Sequence, residues 1–96
     1  MDVVIIKTTI GEEMVAELVS DIHPTSENAI TVSRPRIFQW SQDAKGDMTP
    51  SLVPWIALDP DNKNVPLNMN YVATMIPASA SLTKSYPTAV SGIVLN

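Results

Sequence analysis

The sequence predicts an all-β domain, a five-stranded, strongly bent open barrel that is followed by a short C-terminal helix. Residues 3–9 are β-branched apart from Lys7, which favours a strand. A turn at Gly11 leads into a second short apolar run at residues 14–20. Prolines inside two later strand-like runs, Pro35 and Pro54, indicate bulges or bends in long strands. Bent strands allow a small barrel to turn its corners.

The first hairpin shows apolar residues on both faces. In residues 3–9, Val4 and Ile6 share one face while Val3 and Ile5 share the other, so we expect a strand that is covered on two sides. Residues 14–20 also contain good helix formers, which makes a helix the rival interpretation. The run is short and lies between a turn and an Asp-x-His-Pro break, and both features favour a strand.

The middle of the chain alternates strands with polar turns. Residues 21–28 are predicted to form a loop, and Ala29–Ser33 begins a third strand that resumes at Ile37–Trp40. Residues 41–51 are predicted as a polar hairpin tip, residues 52–58 as the fourth strand, and residues 59–64 as an exposed turn. Residues 65–67 would extend this hairpin.

The last strand and the tail complete the prediction. The fifth strand is expected at residues 71–76 and ends at Pro77. Ser79 or Ser81 would cap a helix that runs through Tyr86 and is kinked or ended by Pro87. Residues 93–95 would form a frayed end or a terminal strand. Residues 1–78 are therefore assigned to the barrel, and residues 79–96 to a helical extension of the same domain.

Length and composition limit the class of protein. Ninety-six residues with 45% apolar content make one domain, and its small β-core would be marginal alone, so oligomerisation is expected. The absence of cysteine fits a reducing compartment. We expect neither a secretory signal nor a membrane span, because the chain has no long apolar run. These features together predict a cytoplasmic protein.

Charge and chemistry argue against an enzyme. Six basic side chains face ten acidic ones, and the net charge of −4 does not favour non-specific binding to phosphates. One histidine and no cysteine leave nucleophilic and acid–base schemes without partners, and the three glycines are too scattered for a phosphate loop. We expect no catalytic residues, no cofactor and no metal site.

Residues 3–77 resemble the Sm-like family, including its bacterial Hfq branch. The resemblance rests on Gly11, the apolar second strand, Asp21 after it, and residues 30–32. Residues 72–77, Val-Ala-Thr-Met-Ile-Pro, are similar to the Ile-Ser-Thr-Val-Val-Pro ending of Hfq-type chains. The long loop at 41–51 and the acidic balance also resemble Sm-like proteins of marine phages, for which the compartment would be the host cytoplasm.

The resemblance implies assembly into a homo-oligomeric ring, in which the fourth strand of one subunit pairs with the fifth strand of the next. The sequence itself also favours assembly, because an open barrel leaves two apolar edge strands that must be capped or paired. We expect an interface that contains Leu52, Val53, Trp55, Ile56, Tyr71, Val72, Thr74 and Ile76. A lysine in place of Val72 is predicted to break it.

The resemblance also implies RNA or single-stranded nucleic-acid binding in RNA metabolism. The candidate contacts are Asp21, His23, Asn28, Asn68, Asn70, Tyr71, Arg34, Arg36 and Lys45. The family's second motif has a basic side chain, whereas residues 68–70 of this chain are Asn-Met-Asn.

Simpler roles are open for most of these candidates. His23 would be a turn residue, and Asn68 and Asn70 would form a turn before an interface tyrosine. Arg34 and Arg36 would clamp phosphate, lie on an exposed strand face, or form an intersubunit salt bridge with Glu12, Glu13 or Glu17. The alternative function is a structural or adaptor ring that binds another protein, without nucleic-acid binding.

Overall fold

The chain forms one antiparallel sheet and one C-terminal helix. The computed structural model describes residues 2–21 and 28–91, without the side chains of residues 89 and 91. The strands are β1 (Val3–Thr8), β2 (Glu13–Ser20), β3 (Ala29–Gln42), β4 (Met48–Pro54), β5 (Val65–Asn68) and β6 (Val72–Pro77). A single 3-10 turn (Met69–Tyr71) precedes β6, and helix α1 spans Ala80–Ser91. The predicted β-rich fold with a C-terminal helix is confirmed, with six strands instead of five; residues 93–95 lie outside the described part.

The long strand β3 organises the sheet, whose order is β4-β3-β2-β1-β6. The first four residues of β3 pair with β5, and its last seven, Arg36–Gln42, pair with β4. The prediction placed a fourth strand at residues 52–58 and a hairpin extension at residues 65–67. In the structure, β4 and β5 are two separate strands that pair with successive parts of β3. Within the described residues the sheet is not closed, because β4 and β6 end the strand order at opposite sides.

A bulge interrupts β3 where Pro35 predicted one. Val15 lies opposite Arg36 and Glu17 opposite Ser33, so β3 carries one extra residue at this point. Arg34 takes a φ of +48°, the left-handed region that residues other than glycine rarely enter. Its N–H donates to the carbonyl oxygen of Asn62 at 2.8 Å. The bulge is therefore attached to the turn that connects β4 and β5.

The fourth strand and the hairpin tip were predicted wrongly. β4 begins at Met48 and ends at Pro54, whereas residues 55–58 form a bend and a turn instead of strand. The tip is reduced to residues 43–47, where the Asp43 Oδ1 accepts hydrogen bonds from the N–H groups of Lys45 and Asp47, both at 2.9 Å. Because the turn is compact, the polar residues on both sides of it continue the backbone pairing of β3 with β4.

Two apolar clusters cover the two faces of β1 and β2, as the apolar pattern of the first hairpin predicted. One cluster joins β1, β2, β3 and β5 through Val4, Ile6, Met14, Ala16, Ile30, Val32, Val65 and Leu67. The other joins the opposite face to α1 through Val3, Val15, Tyr86 and Val90. Because successive side chains of a strand point to opposite faces, the β-branched β1 supplies both clusters.

Helix α1 begins where a serine was expected to cap it. The Ser79 Oγ accepts a hydrogen bond from the Leu82 N–H at 3.1 Å, as an N-cap does. The helix continues past Pro87 to Ser91, so Pro87, which was expected either to kink or to end the helix, does not end it. Tyr86 and Val90 lie one turn apart and are both buried in the second cluster, and this packing compensates for the hydrogen bond that proline removes.

Tyr86 attaches the helix to the bulge in β3. Its side chain is 2% exposed, and its Oη lies 2.8 Å from the Ser33 carbonyl oxygen and 2.9 Å from that of Arg34. We expect Tyr86→Phe to lower the free energy of unfolding by about 1–3 kcal/mol, because buried acceptors lose their donor. Urea unfolding monitored by circular dichroism measures the loss; an unchanged midpoint would show that the hydroxyl contributes nothing to stability.

The same hydroxyl predicts an alkaline loss of stability. Burial raises the pKa of Tyr86, because the phenolate is poorly solvated there. The unfolded chain therefore releases this proton first, near pH 10, and the stability that is present below that pH falls as pH rises further. The free energy of unfolding of the wild type should therefore fall more steeply above about pH 10 than that of Tyr86→Phe. Parallel pH profiles would contradict this assignment.

Candidate assembly edges and nucleic-acid contacts

The outer edge of β4 is rich in carbonyls and poor in N–H donors. The Asp43 N–H donates to the Asp47 carbonyl at 2.8 Å, and the Trp55 N–H to the Pro35 carbonyl at 3.0 Å. Because antiparallel partners alternate in their hydrogen bonds, these two bonds fix which β4 residues face away from β3. The outward residues are Met48, Pro50, Leu52 and Pro54. The two prolines occupy positions where no ladder bond is lost, and only Met48 and Leu52 offer outward N–H groups.

The outer edge of β6 follows the same logic. The Ala78 N–H donates to the Val3 carbonyl at 2.9 Å, so Ile76 and Thr74 face β1 with their backbone groups. Met75 and Pro77 face away from β1. Met75 then offers both an N–H and a carbonyl, while Pro77 offers a carbonyl alone. The strand is exposed beyond Val72, and Ile76 leaves 49% of its surface accessible.

The predicted interface residues lie at the two ends of the sheet or against the core of their own chain, and Val72 does both. Leu52 and Val53 lie in β4, and Val72, Thr74 and Ile76 in β6, at the two ends of the sheet. Trp55, Ile56, Tyr71 and Val72 pack against the first apolar cluster of their own chain. The rings of Trp55 and Tyr71 stack with centroids 6.2 Å apart. A lysine at Val72 would thus disturb the core as well as an edge, so Val72→Lys does not test assembly cleanly.

An asparagine cluster forms beside the 3-10 turn. The Asn28 Nδ2 donates to the Asn68 Oδ1 at 3.4 Å, and the same oxygen accepts the Asn70 N–H at 2.8 Å. Three predicted nucleic-acid contacts are therefore close together, although 40 residues separate Asn28 from Asn68. The Asn68 oxygen serves as a cap for the turn, and all three asparagines are exposed.

Tyr71 is held within its own chain. Its hydroxyl donates to the Glu12 Oε1, and this bond is the main reason that the pKa of Tyr71 is raised. One face of the ring stacks on Trp55. These contacts favour a packing role over stacking on a nucleic-acid base.

The predicted basic residues are not gathered on one surface. Arg36 is 4% exposed, and its Nη1 donates to the Pro60 carbonyl at 2.8 Å. This geometry favours a structural role for Arg36 over the predicted phosphate contact. Lys45 is exposed at the hairpin tip, and Arg34 lies half-buried in the bulge. Asp21 is exposed after β2, and His23 lies outside the described residues.

The hairpin arm formed by residues 38–52 has one apolar face. Phe38 lies opposite Leu52, and Trp40 opposite Pro50, so these four side chains share a face. Trp40 is 59% exposed and meets Phe38 edge-to-face, with centroids 5.4 Å apart. The face continues into an open groove of about 440 Å³, which is lined by Ile5, Glu13, Val15, Phe38, Pro50, Ser51, Leu52 and Leu82. No local pattern in the sequence predicted this groove, because its walls come from five different elements.

The described ranges lack two further types of site. Residues 2–21 and 28–91 contain no group of three or more histidine, cysteine, aspartate or glutamate side chains that could hold a metal ion. No helix in this part of the chain has the length and apolar character that crossing a membrane requires. A scan against protein-family models and a search of curated proteins both found no match to the chain.

Proposed function

We propose that this protein is a subunit of an Sm-like homo-oligomeric ring. The sheet topology carries the proposal, because β4 and β5 lie on one side of β3 while β6 ends the sheet on the other side of β1. In the Sm-like family, the fourth strand of one subunit pairs with the last strand of its neighbour. The two free edges of this chain are the strands that such a pairing needs.

The edges set limits on that pairing. β4 offers outward N–H groups only from Met48 and Leu52, and β6 offers one from Met75 but none from Pro77, so pairing between neighbouring subunits would use few backbone hydrogen bonds. Native mass spectrometry tests assembly directly. We expect one discrete mass that is a multiple of the 10.4 kDa subunit. A single subunit mass at micromolar concentration would reject the ring.

RNA or single-stranded nucleic-acid binding is the ligand function that the family resemblance suggests. It is supported here by the asparagine cluster of Asn28, Asn68 and Asn70, whose amides offer both donors and acceptors to base edges. In a ring, each subunit would contribute one such cluster. All three asparagines are exposed, and Asn70 is best placed to contact a base because its side-chain amide takes no part in the hydrogen bonds of the cluster.

Fluorescence anisotropy with short U-rich and A-rich RNA at two salt concentrations tests this function. We expect saturable binding that weakens as salt rises, because phosphate contacts release counterions. Asn70→Ala should weaken binding by about 1 kcal/mol, roughly fivefold, while an exposed control, Ser81→Ala on α1, should not. Equal weakening by both variants, or no saturable binding at the lower salt, would contradict the proposal.

An adaptor ring that binds another protein is the second candidate. The apolar face of the hairpin arm favours it, since exposed tryptophan and methionine are enriched at protein interfaces. The scattered basic residues and the net charge of −4 point the same way. Affinity purification with nuclease treatment separates the two candidates: a protein partner that survives the nuclease supports the adaptor, whereas recovery of RNA alone counts against it.

A further inference from the structure

A small cavity lies between the bulge in β3 and the second half of α1. It encloses about 210 Å³ and is lined by Glu17, Ser33, Arg34, Lys63, Tyr86, Pro87 and Val90. Two cationic side chains and one anionic side chain face it, although the chain as a whole is acidic. Ser33 and Tyr86 are almost fully buried, so one wall is fixed by packing.

Arg34 is held in this cavity in an unusual state. Its left-handed backbone costs on the order of 1 kcal/mol for a residue with a side chain. Its Nε is buried and has no hydrogen-bond partner. The ion pairs of the described residues are Lys7–Glu13 and Arg36–Asp61, so neither Arg34 nor Lys63 is paired there. A partly buried cation without a counter-charge is unfavourable, and an anion in the cavity would offset that cost.

We propose that the cavity binds a phosphate group. A guanidinium presents parallel N–H donors that match two phosphate oxygens, and an ammonium adds a point charge. Arg34 would donate from its two terminal nitrogens, because its Nε has almost no accessible surface, and Lys63 would close the open side. The same chemistry is offered by a free phosphate or phosphomonoester and by the backbone of a nucleic acid. The site lies within one chain and does not depend on the ring.

Glu17 decides between this proposal and its simplest rival. The rival is that Glu17 pairs with Arg34 inside the cavity, in which case it stabilises the fold. If the cavity binds an anion, the Glu17 carboxylate repels that anion instead. Glu17→Gln should then tighten phosphate binding by about fivefold or more, the effect of one unit charge a few ångströms away. Under the rival interpretation, the same variant would lower the melting temperature without tightening phosphate binding.

The test titrates inorganic phosphate into the full chain and follows the Arg34 Nε–Hε resonance by NMR, at constant ionic strength set with chloride. We expect a saturable shift in the wild type, a several-fold weaker response in Lys63→Ala, and a tighter one in Glu17→Gln. Arg34→Gln, assayed by calorimetry, should lose binding while remaining folded. The proposal would be overturned if chloride shifted the resonance as much as phosphate does, or if a folded Glu17→Gln variant did not bind phosphate more tightly.

Two further ligands identify the source of the phosphate. A short RNA without terminal phosphates that competes with inorganic phosphate would assign the cavity to a nucleic-acid backbone. A nucleoside monophosphate that competes when this RNA does not would assign it to phosphomonoesters. Both results support the cavity as a phosphate site. If the protein assembles into a ring but does not bind phosphate, this inference alone is refuted. If it binds phosphate but remains a single subunit, the ring alone is refuted.

Discussion

Replacing Met75 with proline is expected to convert the proposed ring into folded single subunits. The Met75 N–H faces away from β1, so the substitution removes no hydrogen bond between β6 and β1. It does remove the one strand donor in the middle of the outer edge of β6, and it places a ring where a neighbouring strand would approach. β4 already tolerates prolines at its own outward positions, Pro50 and Pro54. Native mass spectrometry and circular dichroism measure assembly and folding separately.

Proline at the next residue is the matched control. Ile76 directs its N–H toward Ile5, so Ile76→Pro breaks the pairing of β6 with β1 and should destabilise the fold itself. A folded single subunit for Met75→Pro and an unfolded or strongly destabilised Ile76→Pro would together assign the outer edge of β6 to assembly. Retention of the wild-type oligomer by Met75→Pro would show that the ring, if it forms, uses other surfaces.

The strands that the sequence located well are those whose side chains face an apolar cluster on at least one side. Val3–Thr8 and Glu13–Ser20 agree with the predicted runs to within a residue, because β-branched and alternating side chains reflect burial. The bulge at Pro35 was also foreseen, since a proline cannot donate to the ladder and is placed within a strand chiefly at bulges or edges. Ser79 indicated the start of the helix through its hydroxyl.

β4 was placed too late because its N-terminal half projects beyond the clusters. Met48 to Ser51 pair with Gln39 to Gln42 in an exposed arm, where hydrophobic alternation is not required. The apolar run at 55–58 suggested strand, yet Trp55 and Ile56 reach the core from a bend, and Leu58 is almost fully exposed. Tertiary pairing and not local pattern decides such a segment.

The candidate sites also combine features that local sequence predicts with features that only tertiary pairing creates. Asn68 and Asn70 are neighbours in sequence, and the turn between them could be foreseen from their side chains. Their approach to Asn28 depends on the pairing of β5 with β3. The cavity at Arg34 joins residues from β2, β3, the turn after β4, and α1, which lie up to 73 positions apart in the sequence, from Glu17 to Val90. No spacing rule connects such residues.

Replacing Arg36 with methionine is expected to lower the free energy of unfolding by about 3 kcal/mol, a large part of the total for a small domain. The Arg36 Nη1 donates to the Pro60 carbonyl at 2.8 Å, and the Nη2 reaches the Val90 carbonyl at 3.5 Å. The side chain thereby connects β3 to the turn after β4 and to α1. Methionine keeps much of the apolar volume but leaves these carbonyls without the guanidinium donors.

Two opposing effects determine the sign of that change. Removing a buried cation relieves its desolvation cost, and replacing a buried ion pair by an apolar residue is sometimes stabilising. Arg36 is not part of a buried pair, however, because the Asp61 side chain is 72% exposed and its oxygen lies 3.8 Å away. The partners that lose most are therefore the backbone carbonyls. Asp61→Asn is the control and should change stability by less than about 1 kcal/mol. Urea unfolding of both variants measures the difference: equal losses would mean that the ion pair stabilises the fold, and a stable Arg36→Met would mean that desolvation outweighs the hydrogen bonds.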